Sequence, residues 1–129
     1  MRVANKDASK YVNELKEFKG SYNKNAKTRS KATIFAENEP AFNLNEELYV
    51  VYSWGYHFPM YIYDRQAGIW VGSNDKYSSS TTRHQSQCRP NDLASIENGG
   101  CWLNTAEEMK EYIRCGSLMK YMEIKAKVA

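Results

Sequence analysis

Apolar residues recur at helical spacing in two parts of the chain and alternate with polar ones in several others. Over residues 7–19, DASKYVNELKEFK, the side chains of Tyr11, Leu15 and Phe18 fall at i, i+4 and i+7. That spacing predicts one amphipathic helix, started by Asp7 or Ser9 and stopped by Gly20. Residues 32–36, ATIFA, predict a short strand ended by the polar ENEP at 37–40. Residues 43–47 predict a turn leading into residues 46–52, EELYVVY, the best strand in the chain because it is β-branched and aromatic. Gly55 breaks it. Pro59 opens the next strand, Met60–Tyr63, where its missing N–H does least harm. Turn residues at 64–68 then lead to a third strand, Ile69–Val71. Short connections between three adjacent strands predict an antiparallel meander.

Residues 76–87 carry almost no aliphatic side chain, which predicts a segment outside the core: a surface loop, an edge strand, or a short helix capped by Thr81 or Thr82. Arg89-Pro90-Asn91-Asp92 ends it, and Glu97-Asn98-Gly99-Gly100 predicts a further turn. Thr105-Ala106-Glu107-Glu108 is a capping box, so a helix is expected over 105–115, with Met109, Tyr112 and Ile113 buried and Gly116 closing it. Met122, Ile124, Ala126 and Val128 alternate with charged residues, which predicts a final strand. The expected fold is a single α+β domain over residues 1–129. Its small, mainly antiparallel sheet has about four to six strands, with helices near both ends of the chain packed on one side.

Charge changes this picture by being uneven. Residues 1–31 carry nine Lys/Arg against three Asp/Glu, whereas residues 32–101 carry four against eight. The basic character is concentrated in 21–31, which holds Lys24, Lys27, Arg29 and Lys31 with no acid and no apolar period. Such a loop, expected to be mobile, suits phosphate contacts, although a solvated linker is the commoner origin of that composition. No apolar run of about 18 residues predicts a membrane span, and the first residues lack a signal-peptide core, so a cytoplasmic protein is expected. Cys88, Cys101 and Cys115 form an odd set without a C-x-x-C pair, which fits reduced thiols. His84 and Cys88 stand one helical turn apart, yet the wide spacing to Cys101 and Cys115 matches no usual zinc module. No metal or cofactor is implied.

The candidate chemistry lies between Leu48 and Pro90, a stretch with both histidines, two of three tryptophans and six of ten tyrosines. The tract at 76–89 offers hydroxyl, amide and cationic donors to phosphate or sugar oxygens, with Tyr or Trp available for stacking. The binding residues expected are Tyr52, Trp54, His57, Trp70, Lys76, Tyr77, Thr82, Arg83, His84, Gln85, Gln87 and Arg89. If the two segments pair, His57 and His84 meet across a pocket, where two histidines and an arginine can perform acid–base chemistry on a phosphodiester. His84-Gln85-Ser86 fits half of a two-histidine phosphoesterase pattern, but His57-Phe58-Pro59 ends in proline and fails the other half. Histidines that brace a loop are the more common case.

YSWGYHFP (52–59), Trp70 and DKYSSSTTRHQSQCRP (75–90) together resemble a group of short bacteriophage-encoded proteins with the pattern Y-S-x-G-x-H-F-P, a tryptophan, then K-Y-S-x-[ST]-T-x-[KR]-H-Q-S-Q. The resemblance covers about a third of the chain and implies a phage origin without an assigned activity. It leads to the expectation of a non-enzymatic accessory protein that binds a host protein or protein–nucleic-acid complex, as an inhibitor of a host defence system would. The alternatives are a nucleic-acid or nucleotide-binding protein using 76–89 and 21–31, and a phosphodiesterase dependent on His57 and His84.

Overall fold

Side chains along the third strand point alternately to two apolar layers, and this organises the whole domain. The computed structural model describes residues 3–20, 33–40, 47–65, 67–75, 79–90 and 101–128. Within them a short 3₁₀ turn at Asn5–Asp7 leads into α1 (Ala8–Asn13). β1 (Phe18–Lys19), β2 (Ile34–Pro40), β3 (Glu47–Ser53), β4 (Pro59–Asp64) and β5 (Ile69–Ser73) follow. Then come α2 (Ser79–Cys88), β6 (Cys101–Leu103), α3 (Ala106–Cys115) and α4 (Leu118–Val128). The six strands form one sheet in chain order, antiparallel throughout except for the parallel β5–β6 pair. A parallel neighbour needs a crossover, and the segment containing α2 supplies it.

Tyr49, Val51, Tyr61 and Trp70 face a layer shared with Ala8 and Val12 of α1 and Cys88 of α2. Leu48, Val50, Ile62 and Val71 face the other way, against Met109 and Tyr112 of α3 and Tyr121 of α4. The α+β fold with helices near both ends of the chain is therefore present. The expected packing of those helices on one side is not, because the central strands are apolar on both faces and each face has to be covered.

Several elements differ from expectation, β6 among them, since no strand was expected at Cys101–Leu103. The helix expected over 7–19 stops at Asn13, since Leu15 adopts a left-handed backbone (φ 56°) and Phe18 enters β1. Tyr11, Leu15 and Phe18 still reach one core, so the apolar stripe marked the shared face but not the backbone joining it. Gly20 is no helix cap; its N–H donates to the Ile34 carbonyl at 2.7 Å. β2 runs on through the ENEP residues that were expected to end it. Finally, 122–128 belongs to helix α4 rather than to a strand. Ser117 caps that helix by accepting the Lys120 N–H (3.1 Å), and Met, Glu, Lys and Ala are all good helix formers.

The threonine half of the capping box at α3 is formed: Thr105 Oγ1 accepts the Glu108 N–H at 3.1 Å, while the Glu108 carboxylate meets the Thr105 hydroxyl at 3.4 Å, and Gly116 closes the helix at φ 76°. Asp75 Oδ2 accepts the Ala106 N–H at 3.1 Å, tying that helix start to the end of β5. Tyrosine hydroxyls act as tethers between layers. Tyr49 donates to the Lys16 carbonyl (2.7 Å), Tyr61 to the Gln85 carbonyl (2.6 Å), and Tyr112 to Asp64 Oδ2 (2.6 Å). Gly72 is required where it stands, because a Cβ there would lie 2.6 Å from the Trp102 ring.

Candidate binding surface at the hairpin tip

β3 and β4 are joined by residues 54–58, and the joint is irregular. A register shift between Val51 and Tyr52 places Pro59 opposite Tyr52, the signature of a bulge that twists the strand end outward. The Ser53 N–H donates to the Phe58 carbonyl (3.0 Å), and the Trp54 N–H to the Thr33 carbonyl (2.8 Å). These bonds hold Trp54 at φ 66°, a left-handed backbone that a bulky side chain rarely adopts. Trp54 is half-buried, Tyr56 is 59% exposed and His57 is exposed.

The hydroxyl- and amide-rich tract folds over one side of this tip as α2. Thr81, His84, Gln85 and Cys88 recur at i, i+3, i+4 and i+7, and all are buried. The segment expected to lie outside the core thus contributes to it through hydrogen-bonded polar side chains, although Gln87 Oε1 is buried there without a hydrogen-bond partner among the described residues. His84 Nδ1 lies 2.8 Å from Ser53 Oγ, which is 3.4 Å from Thr81 Oγ1. Gln85 Nε2 donates to the carbonyls of Ser73 (3.2 Å) and Asp75 (3.0 Å). The His84 ring packs against Trp54 with centroids 5.5 Å apart. Burial, reinforced by the Arg83 charge, pushes the His84 pKa down to about 4, so the imidazole is neutral at neutral pH.

The outer face of α2 is polar and accessible. Thr82, Arg83 and Ser86 are exposed there, with Arg89 just beyond the helix end. The Arg89 guanidinium sits 5.8 Å from the centre of the Trp102 ring, a cation–π distance.

On the opposite face of the sheet, three rings gather at the same tip. Phe35 stacks on its strand partner Tyr52 (centroids 4.9 Å apart), and Tyr56 meets both edge-on at 5.0 Å. Glu37 and Glu39 follow Phe35 along β2. Tyr56 donates to Glu37 at 2.6 Å and Tyr52 to Glu39 at 3.0 Å. The bond to Glu37, with some burial, pushes the Tyr56 hydroxyl up to about 12. Burial raises the Glu39 carboxyl against the lowering effect of its Tyr52 bond, and the neighbouring charges of Glu37 and Glu17 raise it further.

The expected binding residues therefore separate. Trp54, His57, Thr82, Arg83 and Arg89 reach the surface, and Gln87 is half-buried. His84 and Gln85 are internal braces, Trp70 is core between Tyr49 and Tyr63, and Tyr52 is buried beneath Tyr56. Lys24, Lys27, Arg29, Lys31, Lys76 and Tyr77 lie outside the described residues, as do the turns expected at 43–46 and 97–100. His57 is exposed and His84 buried, so they do not present paired imidazoles to solvent. Ser53, which sequence reasoning passed over, stands beside a histidine as a nucleophile would. It is fully buried, however, and a substrate cannot reach its oxygen. Among the described residues no group of three or more His, Cys, Asp or Glu can hold a metal ion. The Cys88 thiol is buried, and its pKa is raised by that burial. Among them, too, no helix is long and apolar enough to cross a membrane. No family model, no curated protein and no solved structure matches the chain.

Proposed function

We propose that this is a non-enzymatic binding protein that docks on a protein partner through the β3–β4 hairpin tip. Its resemblance to short phage-encoded proteins makes that partner a host protein, and the role a phage accessory one such as disarming a defence system. One observation carries the binding reading. A half-exposed tryptophan is kept at φ 66° with a 59%-exposed tyrosine two residues on. Glycine or asparagine would relieve that backbone at lower cost, by about 1–2 kcal/mol. Strained residues gather at functional sites, and Trp and Tyr dominate the centres of protein interfaces. A neutral, buried His84 beside an inaccessible serine is poorly placed for proton transfer, which favours binding over catalysis.

A second reading has its own support. The exposed Thr82, Arg83, Ser86 and Arg89 on one side suit a nucleic-acid backbone. Affinity capture from a nuclease-treated bacterial lysate separates the two. The protein reading expects a partner that survives nuclease. Loss of the partner on nuclease treatment, together with weakening by about tenfold for two phosphate contacts between about 50 and about 200 mM salt, would establish the nucleic-acid reading instead.

A further inference from the structure

The tip has two unlike sides, and the side away from α2 says something about the partner's chemistry. Phe35, Tyr52 and Tyr56 form a closed triangle of rings, with Tyr56 outermost and 59% exposed. Glu37 and Glu39 flank it, each receiving a tyrosine hydroxyl. A phenol that donates to a carboxylate holds a more electron-rich ring, so the ring faces and the remaining carboxylate lone pairs present one sign of potential. Among the described residues no lysine or arginine is ion-paired with Glu37 or Glu39. Glu17 adds a third carboxylate near Glu39, its Oε2 accepting the Asn38 N–H at 2.9 Å. The like charges repel one another, and an incoming cation relieves that repulsion.

Resting on the protein-docking reading above, we infer that the Phe35–Tyr52–Tyr56 patch with Glu37 and Glu39 receives an arginine-rich segment of the protein partner. A planar guanidinium can stack on Tyr56 and fork to a carboxylate at once, which an ammonium cannot. A nucleic-acid backbone would face these carboxylates with like charge. Its place, if it has one, is the Arg83–Arg89 side.

An NMR titration with an octa-arginine peptide tests this, beside octa-lysine, octa-glutamate and a single-stranded oligonucleotide. Octa-arginine should shift resonances confined to Phe35, Tyr52 and Tyr56, and bind about threefold or more tighter than octa-lysine. The double change Glu37→Gln and Glu39→Gln keeps an acceptor for each tyrosine. It should weaken octa-arginine by about tenfold while leaving the melting temperature in place. Tyr56→Ala, at an exposed position, should do the same. Shifts scattered over the surface, affinity indifferent to these variants, or an oligonucleotide shifting the same rings would each overturn the inference. The two readings fail separately. If the captured partner still depends on Trp54 while octa-arginine ignores the patch, only the arginine specificity falls; if capture ignores Trp54, the docking reading falls with it.

Discussion

At the scale of single residues, His84 illustrates how chemistry-bearing letters can serve structure. The sequence singles it out by type and by the polar company it keeps, but burial against Ser53 and Trp54 turns it into a brace. Its ordinary pKa of 6.5 falls to about 4 in the fold. Between those values the unfolded chain binds the proton that the folded chain refuses, so stability drops as pH falls from 6.5 towards 4 and levels off below. The full effect is about 3 kcal/mol, at about 1.4 kcal/mol per pH unit. Urea denaturation at about pH 7.5 and about pH 5 should therefore show a loss of about 2 kcal/mol, and His84→Gln should remove most of that difference. Equal pH dependence in both proteins would mean that His84 titrates normally. Trp54 was legible as an aromatic beside a glycine break. Its left-handed backbone was not, because it follows from hydrogen bonds to Thr33 and around Phe58 that only the folded sheet brings together.

At the scale of elements, what the sequence displayed was the central strands, not the short β1 and β6, and much of what it hid was written in the wrong alphabet. β3, β4 and β5 stood out because β-branched and aromatic runs alternate and are cut by glycine and proline. α2 did not, because its buried face consists of Thr81, His84, Gln85 and Cys88, whose helical spacing is invisible to a search for apolar letters. The alternation at 122–128 predicts a strand, yet a few alternating residues satisfy a period of two as readily as a helix of mixed polarity, and α4 is the latter. Edge protection is another property of elements. β1 covers β2 only at Phe35 and Ala36, and beyond that point the Asn38 N–H is capped by Glu17 while Pro40 has no N–H to offer. Glu17→Ala should expose this edge. Sedimentation should then show concentration-dependent self-association absent from the parent, with a stability loss of about 1 kcal/mol. A variant that stays at its parent's sedimentation coefficient at all concentrations would mean that the edge is protected by something else.

At the scale of the whole molecule, one sheet separates two apolar layers, and Asp64 stitches the C-terminal one to it. Its carboxylate, fully buried, accepts from the Tyr112 hydroxyl (2.6 Å), the Leu118 N–H (2.9 Å) and the Ala67 N–H (3.1 Å). Asp64→Asn replaces an acceptor oxygen by a donor and should cost about 2–4 kcal/mol. Hydrogen exchange should show α3 and α4 loosening together while α1 and α2 keep their protection; uniform loosening of all four helices would contradict the two-layer division. The same division sets up the surface: α2 braces one side of the hairpin tip from within, while half-buried Trp54 and exposed Tyr56 reach solvent. The most direct test of that account is the affinity of a captured partner for Trp54→Ala and for Thr82→Ala with Ser86→Ala, measured at matched stability. Loss of about tenfold or more in Trp54→Ala with the hydroxyl pair nearly silent is the predicted result. The reverse ranking, with the helix hydroxyls dominant and Trp54 dispensable, would contradict it.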